Sequence, residues 1–132
     1  MVTIEFVQKT FAPLEEGDPP SFFAHVADNV SWTITGHEDP FAGHYNSKVD
    51  VITKTLKRIM ACMATPIQRK VTKVLTCGDW AVVEHTASAT TKKGSAFNQE
   101  FCWICRYEGD KIVEVRMYQD SALVKSVLEE NE

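Results

Sequence analysis

No stretch of this chain stays apolar for long. The longest apolar runs, such as Phe101 to Cys105, fall far short of the roughly 20 residues a membrane helix needs, so no membrane association is expected. Acidic Glu5 stands where a secretory signal carries positive charge, and the expectation is a soluble, cytoplasmic protein. A basic excess is lacking too: 14 Lys and Arg face 18 Asp and Glu, and the net charge of −4 is spread along the sequence. With no basic stripe to neutralise a phosphate backbone, nucleic acid is not expected as a partner. Cysteine is sparse, and Cys62, Cys77, Cys102 and Cys105 sit among apolar neighbours, which suits buried reduced thiols rather than a disulfide frame. Repeats and low-complexity tracts are absent. What is present is 132 residues at 44% hydrophobic content, enough to bury about two-thirds of the unfolded chain's surface. One domain over residues 1–132 is the expectation.

The order of elements follows from caps, breakers and periodicity. Thr3 caps a first helix with Ile4, Val7 and Phe11 on one side, ending before Pro13. Ser21 to Ala27 reads as a second short helix closed by Asp28 and Asn29. Val30 to Thr35 alternates as a half-buried strand, and Gly36 to Asn46 reads as a polar connection. Ser47 with Asp50 opens the clearest helix, on which Ile52, Thr55, Leu56, Ile59, Met60 and Met63 recur at spacings of three and four. The segment Ile67 to Thr76 and three further strands then form a meander, punctuated at Gly78-Asp79, Lys93-Gly94 and Gly109-Asp110. Asp120 or Ser121 caps a closing helix, with a frayed acidic end at Glu129 to Glu132. Helices on one face of a mainly antiparallel sheet make this an α+β chain.

Residues two apart on a strand share a face, so the side chains can be sorted. Phe97, Gln99, Phe101, Trp103, Cys105 and Tyr107 form the inward set of one strand. Ala81, Val83, His85, Ala87 and Ala89 do so on the strand before it, and Val113, Val115, Met117 and Gln119 on the strand after. His85 is the only ionisable side chain in these inward sets. The small Ala87 and Ala89 opposite bulky Phe101 and Trp103 predict an enclosed cavity. The outward face mixes Trp80, Val82, Ile104 and Tyr118 with Glu84, Glu100, Arg106, Glu114 and Arg116, a composition that suits a homodimer contact.

Several segments carry a family resemblance: Val30-Ser31-Trp32, Phe41-Ala42-Gly43-His44-Tyr45 with Lys48, Gly78-Asp79-Trp80-Ala81-Val82-Val83-Glu84, Phe97-Asn98 running into Phe101-Cys102-Trp103, and Gly109 to Asp120. The chain resembles the SnoaL-like branch of the nuclear-transport-factor-2-like (NTF2-like), or ketosteroid-isomerase-like, superfamily. That resemblance implies a cone in which a strongly bent sheet wraps around three helices, an internal ligand pocket and frequent dimerisation. Family activities include polyketide cyclisation, double-bond isomerisation, epoxide hydrolysis and dehydration, alongside members that only bind. The two carboxyls of ketosteroid isomerases fall at Ile34 and Trp103 here, and the acid-arginine-acid set of the epoxide hydrolases falls at Ala87, His85 and Met117. Both of those chemistries are therefore missing.

His85 remains as the candidate proton shuttle, because an apolar pocket disfavours its charged form and leaves a neutral base. Trp32, Phe101, Trp103 and Met117 are the candidate walls, with Tyr45, Gln99 and Gln119 as candidate orienting groups. His37, Glu38, Asp39 and His44 match no tight metal motif and read as a solvated loop near the pocket mouth, so no metal and no cofactor is expected. Cys102 and Cys105 lie three residues apart on a strand, with thiols on opposite faces, and cannot form a redox pair. The function expected is an isomerase, cyclase or dehydratase using cofactor-free acid-base chemistry on a hydrophobic cyclic or polyketide-like substrate. The alternative is a module that only binds a small ligand or dimerises.

Overall fold

The computed structural model describes residues 1–132, in the order α1 (Ile4–Glu15), α2 (Pro19–Phe23), β1 (Val26–Ile34), β2 (Gly43–Tyr45), α3 (Lys48–Val51), a π-helical stretch (Ile52–Leu56), α4 (Lys57–Ala61), β3 (Gln68–Cys77), β4 (Trp80–Thr90), β5 (Ala96–Glu108), β6 (Lys111–Gln119) and α5 (Ser121–Asn131). The six strands form one sheet in the order β2-β1-β6-β5-β4-β3, in which only the β1–β6 pair is parallel. This is an α+β fold with a bent, mainly antiparallel sheet and helices packed on its inner face.

Caps set several helix starts as the sequence predicts. The Thr3 hydroxyl accepts from Phe6 N, Ser47 accepts from Asp50 N, and Asp120 accepts from Leu123 N. Other boundaries move. Helix α1 runs through Pro13 to Glu15, because the turn after the proline closes with Glu16 N donating to Ala12 O. The second helix starts earlier than expected, at Pro19 capped by Asp18, and Val26 already belongs to β1. Asp28 and Asn29 end no helix; they sit where β1 loses register with β6 between Val26 and Ser31. In the long helix, the Thr53 and Thr55 hydroxyls bond to the carbonyls of Val49 and Val51, four residues earlier. They compete with main-chain amides for those carbonyls, and the ladder widens into a π turn. The chain end is not frayed: Glu132 receives two hydrogen bonds from Arg58, at 2.9 and 2.6 Å.

Burial along β4 and β5 follows the alternation, with Ala81, Val83, His85 and Ala87 buried on one and Phe97 to Tyr107 at every second position on the other. On β6 one inward assignment fails. A register shift at Arg106/Tyr107 reverses the parity, so Ile112 is fully buried opposite Tyr107 and Val113 turns toward the outside. Helices α1 and α5 bring Phe11, Val124 and Val127 into the same core. No helix is long and apolar enough to cross a membrane.

Candidate functional site

The inner face of the sheet encloses a cavity of about 50 Å³. Its floor is aromatic because β1 and β5 place Trp32, Phe101 and Trp103 on the same side. The two indole rings meet edge-on at 5.2 Å, and Phe101 meets Trp103 edge-on at 5.9 Å. Each such pair contributes about 0.5–1.5 kcal/mol beyond its area burial, which fixes the rings in place. Met117 of β6, Thr55 and Leu56 of the π turn, Phe41 and Val124 complete most of the wall. Four of the predicted walls, Trp32, Phe101, Trp103 and Met117, therefore line one space, and Gln119 lines it too.

His85 does not line that cavity. It stacks on Phe101 at 4.7 Å, meets Trp103 edge-on at 4.6 Å and Phe11 at 5.8 Å, and so sits behind the aromatic floor. Burial, and then the charge of Arg69, lower its pKa to about 3, so the ring is neutral at pH 7. Its Nε2 is buried without a hydrogen-bond partner.

Tyr45 and Gln99 are occupied elsewhere. The Tyr45 hydroxyl donates to Phe41 O at 2.6 Å, and burial followed by the negative charge of Asp39 raises its pKa. Gln99 is buried, with its amide donating to Asp120 O and its carbonyl accepting from Glu100 N and Asp120 N. Two of these three bonds join β5 to the start of α5, and neither Tyr45 nor Gln99 lines the cavity.

Two side chains were missed by sequence reasoning. Arg69 of β3 pairs in register with Ala87, which puts it on the inner face beside His85, and it lines the cavity. Its guanidinium lies 5.3 Å over the Phe101 ring, its Nη1 is buried with no partner, and burial lowers its pKa to about 10. The signal was available: extending alternation to Ile67–Thr76 gives that segment an inner face, and Ala87 leaves the space for a long side chain. Asp39 is the second. The expected solvated loop holds for His37 and Glu38, but Asp39 is buried, accepting from Phe41 N at 2.8 Å and from Gln119 Nε2 at 3.0 Å. Gly36, at φ +118°, makes the turn that brings it there.

His44 is held on the edge strand by Thr33 at 2.9 Å, no group of three or more metal-ligating side chains forms, and all four thiols are free.

The fold recurs in solved structures. An NTF2-like protein from Burkholderia thailandensis matches with a TM-score of 0.78 at 22% identity, over 94% of this chain and 95% of that one. TerC, co-crystallised with polyporic acid, matches with a TM-score of 0.75 at 16% identity, over 96% and 97%. In sequence, the dimerizing cyclase phiC of a fungal species is 32% identical over 114 residues. Those cover 83% of this chain and 50% of the relative, so the chain spans half that protein's length. The SnoaL-like domain model matches residues 7–115, and with the inner cavity and bent sheet already described, the chain belongs to the SnoaL-like domain family.

Proposed function

We propose that this protein is a cofactor-free enzyme of the cyclase type, acting on a hydrophobic cyclic or polyketide-like substrate in the Trp32–Trp103 cavity, with His85 moving the proton. The observation that carries this reading is a neutral histidine with an unpartnered nitrogen directly behind the floor of an apolar cavity. The kinship with a protein named as a cyclase supports the same class of reaction. For His85 to reach a substrate, Phe101 has to rotate off its ring. At about 50 Å³ the cavity is also smaller than the ~150 Å³ that admits benzene in an engineered core, so substrate entry and Phe101 rotation belong to one movement.

The test is turnover of a panel of hydrophobic 1,3,5-triketones, which can close a six-membered ring with loss of water, without added cofactor, followed by mass spectrometry. A cyclised or dehydrated product is expected from the unaltered protein. His85→Gln should lower kcat by about 100-fold or more while leaving ligand Kd nearly unchanged. Full turnover by that variant overturns the assignment. One observation favours the second reading, passive ligand binding: His85 is outside the cavity wall as it stands. Under that reading the panel binds and no product forms. The exposed ring of Tyr118, on the same outer face as half-buried Trp80 and Ile104, supports a homodimer through that face, and a monomeric mass by light scattering at micromolar concentration would end that part.

A further inference from the structure

Buried polar atoms are almost always hydrogen-bonded, and those that are not mark a place where a partner is missing. Here four of the five unpartnered side-chain atoms gather around one space, Arg69 Nη1, Trp32 Nε1, Trp103 Nε1 and His85 Nε2, and the fifth, the Tyr107 hydroxyl, lies elsewhere. Arg69, Trp32 and Trp103 line the cavity, and His85 touches its floor. Indole and guanidinium nitrogens only donate, and a neutral imidazole nitrogen donates or accepts according to tautomer. The polar lining is thus dominated by donors. Its acceptors are Gln119, whose amide is tied to Asp39, and the Thr55 hydroxyl, which donates to Val51 O. Arg69 takes part in no ion pair of this structure, whereas buried Asp39 has two N–H donors and half-buried Lys48 has Asp28 at 3.2 Å.

We infer that the cavity takes a hydrophobic carboxylate, with Arg69 as the residue that binds its oxygens and the two indole N–H groups as further donors. The inference rests on the proposed function only in that a ligand enters this cavity. A half-buried guanidinium with no ion pair and one buried, unpartnered nitrogen in an apolar wall lacks a counter-charge, and a planar carboxylate supplies both that charge and two acceptors in the geometry a guanidinium matches. The cation stays charged at neutral pH despite its burial. An anion bound there would also offset the Arg69 charge that, after burial, holds the His85 pKa low, so ligand binding itself makes His85 a better base.

Isothermal titration of the full chain with trans-cinnamate and trans-cinnamamide, flat molecules of one shape that differ in charge, tests this. Cinnamate should bind about tenfold or more tightly than the amide, as expected for hydrogen bonds to a charged group. Arg69→Gln should bring cinnamate down to the affinity of the amide and leave the amide within about threefold, with Arg69→Met as the second variant should the first not fold. The melting temperature of either variant should be no lower than that of the unaltered protein, because an unpaired charge has left the interior. Equal affinity for acid and amide, or a preference for the acid that survives loss of Arg69, overturns the inference while leaving the cavity reading intact. No heat from either compound overturns both.

Discussion

The two faces of the sheet treat charge in opposite ways. Outside, Arg106 reaches Glu108 at 3.0 Å and Glu114 at 3.2 Å, and Arg116 donates to the Tyr118 hydroxyl. These groups face water and are also partnered. Inside, half-buried Arg69 and buried His85 lie on adjacent strands, and Arg69 Nη1 and His85 Nε2 have no hydrogen-bond partner. Alternation along β4, β5 and β6 produces the separation, since each strand sends Glu84, Arg106 or Arg116 outward and His85, Trp103 or Met117 inward. The outer charges keep that face hydrated, whereas the inner ones make the fold less stable than it could be. Such a cost survives in a small domain when it serves binding or chemistry.

Among single substitutions, the largest effect is expected at the cavity floor. Trp103 touches Trp32, Phe11, Phe22, His85 and Phe101. Trp103→Ala should destabilise by about 3–5 kcal/mol in a urea melt, because the cavity already present leaves the neighbours little to collapse onto. A loss below about 1 kcal/mol would mean that the floor is not a packed unit.

The second effect depends on pH. The folded His85 titrates near 3 and an unfolded histidine near 6.5, so above pH 6.5 neither state takes up the proton. As pH falls from 6.5 toward 3, only the unfolded chain binds it, and stability drops by at most about 1.4 kcal/mol per pH unit from this residue. Melts of His85→Gln across that window should show a shallower fall than the unaltered protein. Parallel curves would mean that His85 charges readily in the folded state.

The third effect has the opposite sign. Arg69→Leu should stabilise the ligand-free protein by about 1–3 kcal/mol, since an apolar side chain replaces an unpaired charge in an apolar wall. A lower melting temperature for this variant would show that the guanidinium is satisfied in solution.

Much of this was legible in the chain itself. The meander and the inward sets of β4 and β5 follow from turn glycines and period-two alternation, the long helix follows from spacings of three and four, and the bend of the sheet is what the family resemblance implies. Alternation misassigns β6 at Val113 because a bulge is an extra residue with no strong signature of its own, and one such residue reverses parity. Pattern alone places Trp32, Phe101, Trp103, Met117 and Gln119 at the cavity. It does not separate Tyr45 and Gln99 from Gln119, because all three have polar ends; each is hydrogen-bonded in the structure, and of the three only Gln119 also lines the cavity. Asp39 and Arg69 escape the pattern because charged side chains usually stay on the surface. Arg69 lines the cavity, and Asp39 reaches its edge only through the hydrogen bond from Gln119.

The smallest effect sharpens the contrast most cleanly. Arg106 lies on the outer face over Trp80 at 5.9 Å, with two carboxylates bonded to it, so by number of partners it outranks Arg69. Partner number is the wrong measure. Exposed ion pairs gain little in high dielectric and lose side-chain freedom in forming. Arg106→Ala should therefore shift the melting curve too little to resolve between repeats, and raising the salt concentration should leave even that shift smaller. The same truncation at Arg69 changes both stability and ligand preference. If Arg106→Ala instead lowers the melting temperature together with the mass seen by light scattering, the outer face is a subunit contact, and its charges are as tightly bound into the assembly as those inside are into the core.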